Sequence, residues 1–211
     1  MPRVSRRSRE LDLVRATRRV FDTRGIDDAP IDDVAREAGL NKAVIYRHFG
    51  SKEELYADTL ATYLNDLRSR LDVGSGPPSE ALADLVRRFT RFCMEYPAFT
   101  KLALQMMREP IDKLRPRVSD AVLLRLGEAM AGCLAVVAAT LDALGVDDPD
   151  RLANFLFARC LGLVQLGRLG AGVRLGAQGV PELFPISAAE VERQCVADAL
   201  ASAGALQPKE K

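Results

Sequence analysis

Apolar residues recur at steps of three and four along almost the whole chain, while alternating runs of β-branched residues do not occur. That pattern points to an all-α fold, in which each helix buries one stripe. About nine helices are expected. The first runs from about Arg9 to Arg24, with Leu13, Val14, Val20 and Phe21 on one face and Gly25 as its stop. A short second helix opens near Pro30, carries Asp32 and Asp33 at the positive end of its dipole, and ends at Gly39. Asn41 caps a third helix reaching Phe49, and Ser51-Lys52-Glu53-Glu54 is a capping box that opens a long fourth. Further helices are expected at about 79–95, 97–107, 118–145 and 149–169. A final one, opened by Ser187 and Glu190, runs to about Ala203. The stretch from Gly170 to Pro185 reads as a long connection, mobile or partly helical. Gln207 to Lys211 reads as a disordered tail.

Charge says less than periodicity. The chain holds 30 Lys/Arg against 29 Asp/Glu, so its net charge does not mark a nucleic-acid binder. Its distribution is more telling: Arg3, Arg6, Arg7 and Arg9 all precede the first acid, a basic start of the kind that neutralises phosphates. No secretory signal is visible, because no apolar stretch follows these arginines. The most apolar window, Phe155 to Gly167, is interrupted by Arg159 and Gln165 and falls short of the about 20 residues that span a bilayer. Cys93, Cys133, Cys160 and Cys195 are widely spaced and form no CxxC pair. A cytoplasmic protein without membrane association is expected.

Residues 31–49 have the anatomy of a helix-turn-helix. Small Ala35 permits close helix approach, Gly39 the tight turn, and Leu40, Ile45 and Phe49 bury the second helix of the pair against the first. At 100° per residue, inward Ile45 and Phe49 turn Ala43 and Arg47 directly outward, flanked by Val44 and Tyr46. That outer face suits the major groove, where Arg47 can donate to a guanine and Ala43 or Val44 can touch a thymine methyl.

The run Gly39-Leu40-Asn41-Lys42-Ala43-Val44-Ile45-Tyr46-Arg47-His48-Phe49-Gly50-Ser51-Lys52-Glu53-Glu54-Leu55 resembles the signature of the tetracycline-repressor (TetR) family. The preceding Val20-Phe21, Gly25 and Val34-Ala35 also sit where that family has them, so the resemblance covers roughly residues 10–56. It implies DNA contacts from Lys42, Ala43, Val44, Tyr46, Arg47, His48 and Lys52, with Tyr46, His48 and Lys52 on phosphates. One departure stands out: Ala29-Pro30 replaces the Ser or Thr the family usually has near the start of the second helix.

Two domains follow from this reading: a helix-turn-helix domain over 1–56, and a larger helical domain over 57–211 for ligand binding and dimerisation. In the larger part, Leu123, Leu126, Met130, Cys133 and Val137 form an apolar seam. The next helix is apolar almost all round, with Phe155, Leu156, Phe157, Leu161, Leu163 and Val164. Paired with the last helix (Val191, Cys195, Val196, Leu200), it would build a two-fold four-helix interface in a homodimer. Phe89, Phe92, Cys93, Tyr96, Phe99, Leu102, Met106, Met130 and Phe155 are the candidate lining of a cavity, with Gln165 and Arg168 as polar anchors.

The expected function is thus a dimeric regulator, a repressor that leaves its near-palindromic operator when a small, largely apolar effector binds. No cofactor and no catalytic or metal site is expected: His48 is the lone histidine, and a di-metal bundle needs Glu-x-x-His pairs. Two alternatives remain, a redox-responsive regulator acting through Cys160 or Cys195 and a helical-bundle enzyme.

Overall fold

The computed structural model describes residues 6–205 apart from residues 28 and 75. Arg3 and the segment Gln207 to Lys211 lie outside the described residues. Among these residues the chain forms ten α-helices and one two-stranded sheet. They are α1 (Arg6–Arg24), α2 (Ile31–Glu37), α3 (Lys42–His48), α4 (Lys52–Arg70), α5 (Pro78–Glu95), α6 (Pro97–Met106), α7 (Ile111–Leu114), α8 (Asp120–Asp142), α9 (Pro149–Leu169), β1 (Ala171–Leu175), β2 (Pro181–Pro185) and α10 (Ala188–Ala205).

The all-α expectation holds, with three local differences. First, α1 begins one turn early, at Arg6, where Arg6 and Glu10 form an i,i+4 pair at 2.9 Å. Second, the helix expected from about 118 is preceded by short α7 and a 3-10 turn, Arg115–Arg117, and α8 proper starts at Asp120. Pro116 has no N–H to donate, which suits the tighter turn. Third, the expected long connection is a β-hairpin. The strands β1 and β2 pair antiparallel, with Val173 opposite Leu183 and Leu175 opposite Pro181. Strands of five residues are too short for alternation to declare itself, and prolines at strand ends are tolerated on edges.

The chain folds into two compact units, Met1–Asp66 with Tyr96–Ala131 and Leu67–Glu95 with Gly132–Lys211. The expected division between 56 and 57 falls inside α4. In the first unit, Val14, Phe21, Val34, Ile45, Phe49, Leu55 and Leu60 are buried. There the Phe21 and Tyr56 rings meet edge-to-face at 5.0 Å. In the second unit, α10 packs on α5 and α9. Its Val191, Cys195, Ala199 and Ala203 recur every four residues and are buried. By length and composition α8 and α9 are each apolar enough to cross a membrane, and little of either is buried.

Candidate functional site

The helix-turn-helix is built from local signals that the backbone obeys. Pro30 is the N-cap residue of α2; its carbonyl accepts from Asp33 N at 2.9 Å, and no side chain caps that helix. Gly39 takes φ +65°, the left-handed conformation that reverses the chain between α2 and α3, and a β-carbon there would be strained. Asn41 Oδ1 accepts from Val44 N at 3.0 Å and opens α3. Ile45 and Phe49 are buried, Val44 is half-buried, and Lys42, Ala43, Tyr46 and Arg47 face solvent. Leu40 departs from its expected inward role and is exposed, because Gly39 redirects the chain before it.

Charge on this face is unevenly tethered. Lys42 Nζ lies 3.1 Å from Asp32, and Arg19 reaches Glu37 at 2.7 Å. No hydrogen bond or ion pair holds Arg47 among the described residues. A groove of about 650 Å³ beside it is lined by Arg9, Arg15, Arg19, Arg47 and His48, with Asp12 and Glu37 among them. His48 is half-buried; its Nδ1 is buried without a hydrogen-bond partner, and its carbonyl accepts from Arg6 at 3.5 Å. Lys52 is exposed at the first turn of α4, its Nζ 5.0 Å from the Tyr56 ring centre. Burial pushes the Tyr56 hydroxyl above its usual range.

The α4 amino terminus carries contacts that sequence reasoning missed. Ser51 Oγ accepts from Glu54 N at 2.9 Å, and Glu54 Oε2 accepts from Gly50 N at 2.7 Å, so the expected box closes on Gly50. Glu54 also accepts from the Ser119 hydroxyl and, at 3.3 Å, from Ser119 N, while Ser51 donates to the Arg117 carbonyl. One turn on, buried Asp58 accepts from Arg125 Nε at 2.8 Å and Nη2 at 3.0 Å, and from Arg7 at 3.0 Å. The hydrogen bonds to Asp58 raise the Arg125 guanidinium further above its ordinary range. Partners more than sixty residues apart leave no periodic signal in a sequence.

The expected ligand residues divide between the units. Tyr96, Phe99, Leu102, Met106 and Met130 belong to the first, where Tyr96 and Phe99 pack on Tyr63, and Met106 packs beside Leu114 and Val118. Phe89, Phe92, Cys93, Phe155, Gln165 and Arg168 belong to the second. There Phe92 and Cys93 are buried, Gln165 is half-buried and Phe155 is exposed. Arg168 donates to the Cys93 carbonyl at 2.6 Å, and burial lowers its guanidinium pKa. The second unit holds an apolar cavity of about 40 Å³ between Leu67 of α4, Phe89 of α5, Cys133 and Val137 of α8, and Leu156 and Phe157 of α9. Phe89 is the expected lining residue found there, its ring 5.4 Å from that of Phe157. Such a volume admits only a few waters, so a ligand must widen it.

All four cysteines are buried. Burial pushes the Cys133 thiol up to about 11. The contact between Cys160 and Cys195 raises the first thiol and lowers the second. A redox sensor needs an exposed thiol, and all four of these are buried.

Residues 13–59 match the family model described as bacterial regulatory proteins, tetR family. Over 67 residues the chain is 40% identical to the HTH-type transcriptional activator FasR of Mycolicibacterium smegmatis, covering 32% of this chain and 31% of that protein. The chain's matches span between 27% and 57% of the length of its curated relatives. The fold superposes on a TetR transcriptional regulator from Rhodococcus sp. RHA1 with a TM-score of 0.67 and 16% identity, over 93% of this chain and 96% of that one. It also superposes on FadR from Bacillus subtilis in complex with stearoyl-CoA, with a TM-score of 0.62 and 13% identity, over 90% and 97%. Residues 13–59 thus carry the segment described for the tetR family of bacterial regulatory proteins, and the chain shares the fold of solved TetR regulators.

Proposed function

We infer that this chain is a dimeric, sequence-specific DNA-binding regulator of transcription, a repressor released from a near-palindromic operator by a small, largely apolar ligand. The observation that carries the reading is the split of α3, with Ile45 buried while Lys42, Ala43, Tyr46 and Arg47 face outward inside the matched segment. In this reading residues 1–56 bind DNA and 57–211 bind ligand and dimerise. Arg47 reads a base edge with Ala43 and Val44, while Lys42, Tyr46, His48 and Lys52 hold phosphates. The apolar lining in the second unit supports an apolar effector, and the FadR complex with stearoyl-CoA supports this fold's capacity for one. The ligand prefers a state with different spacing between the two recognition helices and draws the population off DNA. The protein acts in the cytoplasm, off the membrane, and by binding without a catalytic step.

Selection of bound DNA from a random pool tests the reading, followed by a small-molecule screen for release. A near-palindromic motif with half-sites about one helical turn apart is expected. A pool that stays random after selection overturns it. An apolar ligand that tightens binding instead reverses the sign of regulation.

A further inference from the structure

The hairpin between α9 and α10 has two unlike faces. Side chains alternate across a strand, and the register sets Ala171, Val173 and Leu175 beside Pro185, Leu183 and Pro181 on one side. Every residue of that side is apolar. The other side carries an Arg174–Glu182 ion pair at 3.5 Å and half-buried Phe184, whose ring lies where a β-carbon on Gly172 would stand. The apolar side is the open one: Val173 is 68% exposed, Leu175 76% and Leu183 74%. An isolated two-stranded hairpin gains little stability in water, so such a face calls for cover.

The exposed surface continues onto α9. Phe155, Gly162, Leu166 and Leu169 recur at helical spacing along one side of that helix and all face solvent, with exposed Arg159 between them donating to Ser202 at 2.8 Å. Leu169 ends α9 and leads directly into β1. With the hairpin these residues expose apolar side-chain area on the order of 800 Å², beyond the largest patch of an ordinary monomer and about one partner's share of a standard interface. A lipid surface is the poorer cover. The arginines of this region are largely engaged, Arg151 with Asp148, Arg174 with Glu182, Arg159 with Ser202 and Arg168 with the Cys93 carbonyl, and Asp147, Asp148 and Asp150 crowd the start of α9, whereas membrane-surface segments carry free basic rims.

We propose that the hairpin is an arm that closes on a second copy of this chain, its apolar face and the α9 stripe being covered by the same surfaces of the partner across a two-fold axis. This rests on the dimer reading above and adds the hairpin to an interface otherwise made of helices. In an isologous contact each copy offers and receives the same patch, so one surface suffices to close the pair.

The test is sedimentation equilibrium of the full chain and two variants, with circular dichroism to verify folding. Val173→Asp with Leu183→Lys charges the open face while keeping a favourable cross-strand pair at opposed positions. Arg174→Ala alters the opposite face. The expected result is a dimeric wild type, at least a hundredfold weaker association for the double variant, and a change within about twofold for Arg174→Ala. Unchanged association of the double variant overturns the arm and leaves the dimer standing. Equal weakening by Arg174→Ala overturns the assignment to the apolar face. A monomeric wild type overturns both the arm and the dimer, and its co-sedimentation with anionic vesicles would identify a membrane as the cover.

Discussion

Asp58 on α4 and Arg125 on α8, sixty-seven residues apart, form a two-point ion pair at 2.8 and 3.0 Å with the carboxylate 2% exposed. Arg7 of α1 adds a third contact at 3.0 Å, so one buried charge joins three helices of the unit that carries the helix-turn-helix. Removing the acid leaves Arg125 and Arg7 without their shared carboxylate. Asp58→Ala is expected to cost about 2–3 kcal/mol, below the range for a fully buried pair because Arg125 and Arg7 stay partly solvated. Arg7→Ala, which removes a side chain over two-fifths exposed, is expected to cost under about 1 kcal/mol. Urea unfolding of the variants measures both, and equal costs would show that Asp58 does not organise the three helices.

Arg47 and Lys52 are both exposed, and the proposed function gives them different roles on a duplex. Arg47→Ala is expected to relax base preference at one position of each half-site, by about 1–3 kcal/mol of discrimination. Lys52→Ala is expected to weaken all sequences alike and to lower the slope of log K against log salt by about one per site. Fluorescence anisotropy with the selected operator and single-base variants separates the two. Identical profiles for both variants would remove Arg47 from the base-reading face.

Much of this interface was legible because its determinants are local. Gly39, Asn41 and the Ser51–Glu54 box each act within four residues, and 100° per residue suffices to turn Ile45 inward and Arg47 outward. Leu40, which precedes α3 and lies outside that angular count, is exposed rather than inward. Helical spacing also cannot say what covers an apolar side. Phe155 and Leu156 are neighbours in sequence, yet Leu156 lines the cavity and Phe155 is 59% exposed. Of the residues expected to line a ligand cavity, Phe89 borders this gap, while the others lie elsewhere in the two units. The ties from Glu54 to Ser119 and from Asp58 to Arg125 are long-range polar contacts, invisible to any periodicity.

Tyr63 is fully buried, donates to Asp22 at 2.5 Å, and lies under the Arg18 guanidinium at 4.2 Å. Burial first, then the bond to Asp22, raises its pKa well beyond its ordinary value. Because the folded pKa exceeds the unfolded one, this contribution is complete below about pH 10 and is lost as pH rises beyond it. Stability is expected to fall with alkaline pH, and Tyr63→Phe is expected to flatten that fall. At neutral pH the variant should cost only about 0.5–1.5 kcal/mol, since Asp22 is exposed and water replaces the phenol. Urea midpoints measured across pH 8 to 11 check the slope. A slope unchanged in Tyr63→Phe would assign it to another group.

The four thiols give a second check that does not involve DNA. All are buried, and a Cys133 thiol held at about 11 carries almost no thiolate at neutral pH. Alkylation of the native chain at pH 7 is expected to be slow and limited by opening, and to reach four adducts promptly in denaturant. Rapid native labelling at Cys160 or Cys195, read by mass spectrometry, would reopen a redox role for that pair.

The cavity between α5, α8 and α9 sets a condition on ligand response, because about 40 Å³ is far smaller than the about 300–1,000 Å³ of ordinary ligand pockets. In the proposed reading a ligand entering here would push this lining apart, so the unliganded form is the closed state and the ligand selects an opened one. Ala153 is buried against this gap. Ala153→Leu adds three carbons there, at an expected cost of about 1–3 kcal/mol for overpacking. If the gap is where the ligand enters, the variant keeps operator affinity but loses release, since filling it favours the closed state. Val137→Ala works in reverse: it enlarges the gap, costs stability, and lowers the ligand concentration needed for release. Operator binding measured against ligand concentration for both variants decides the matter. Release that is unaltered in Ala153→Leu would place the ligand elsewhere in the protein.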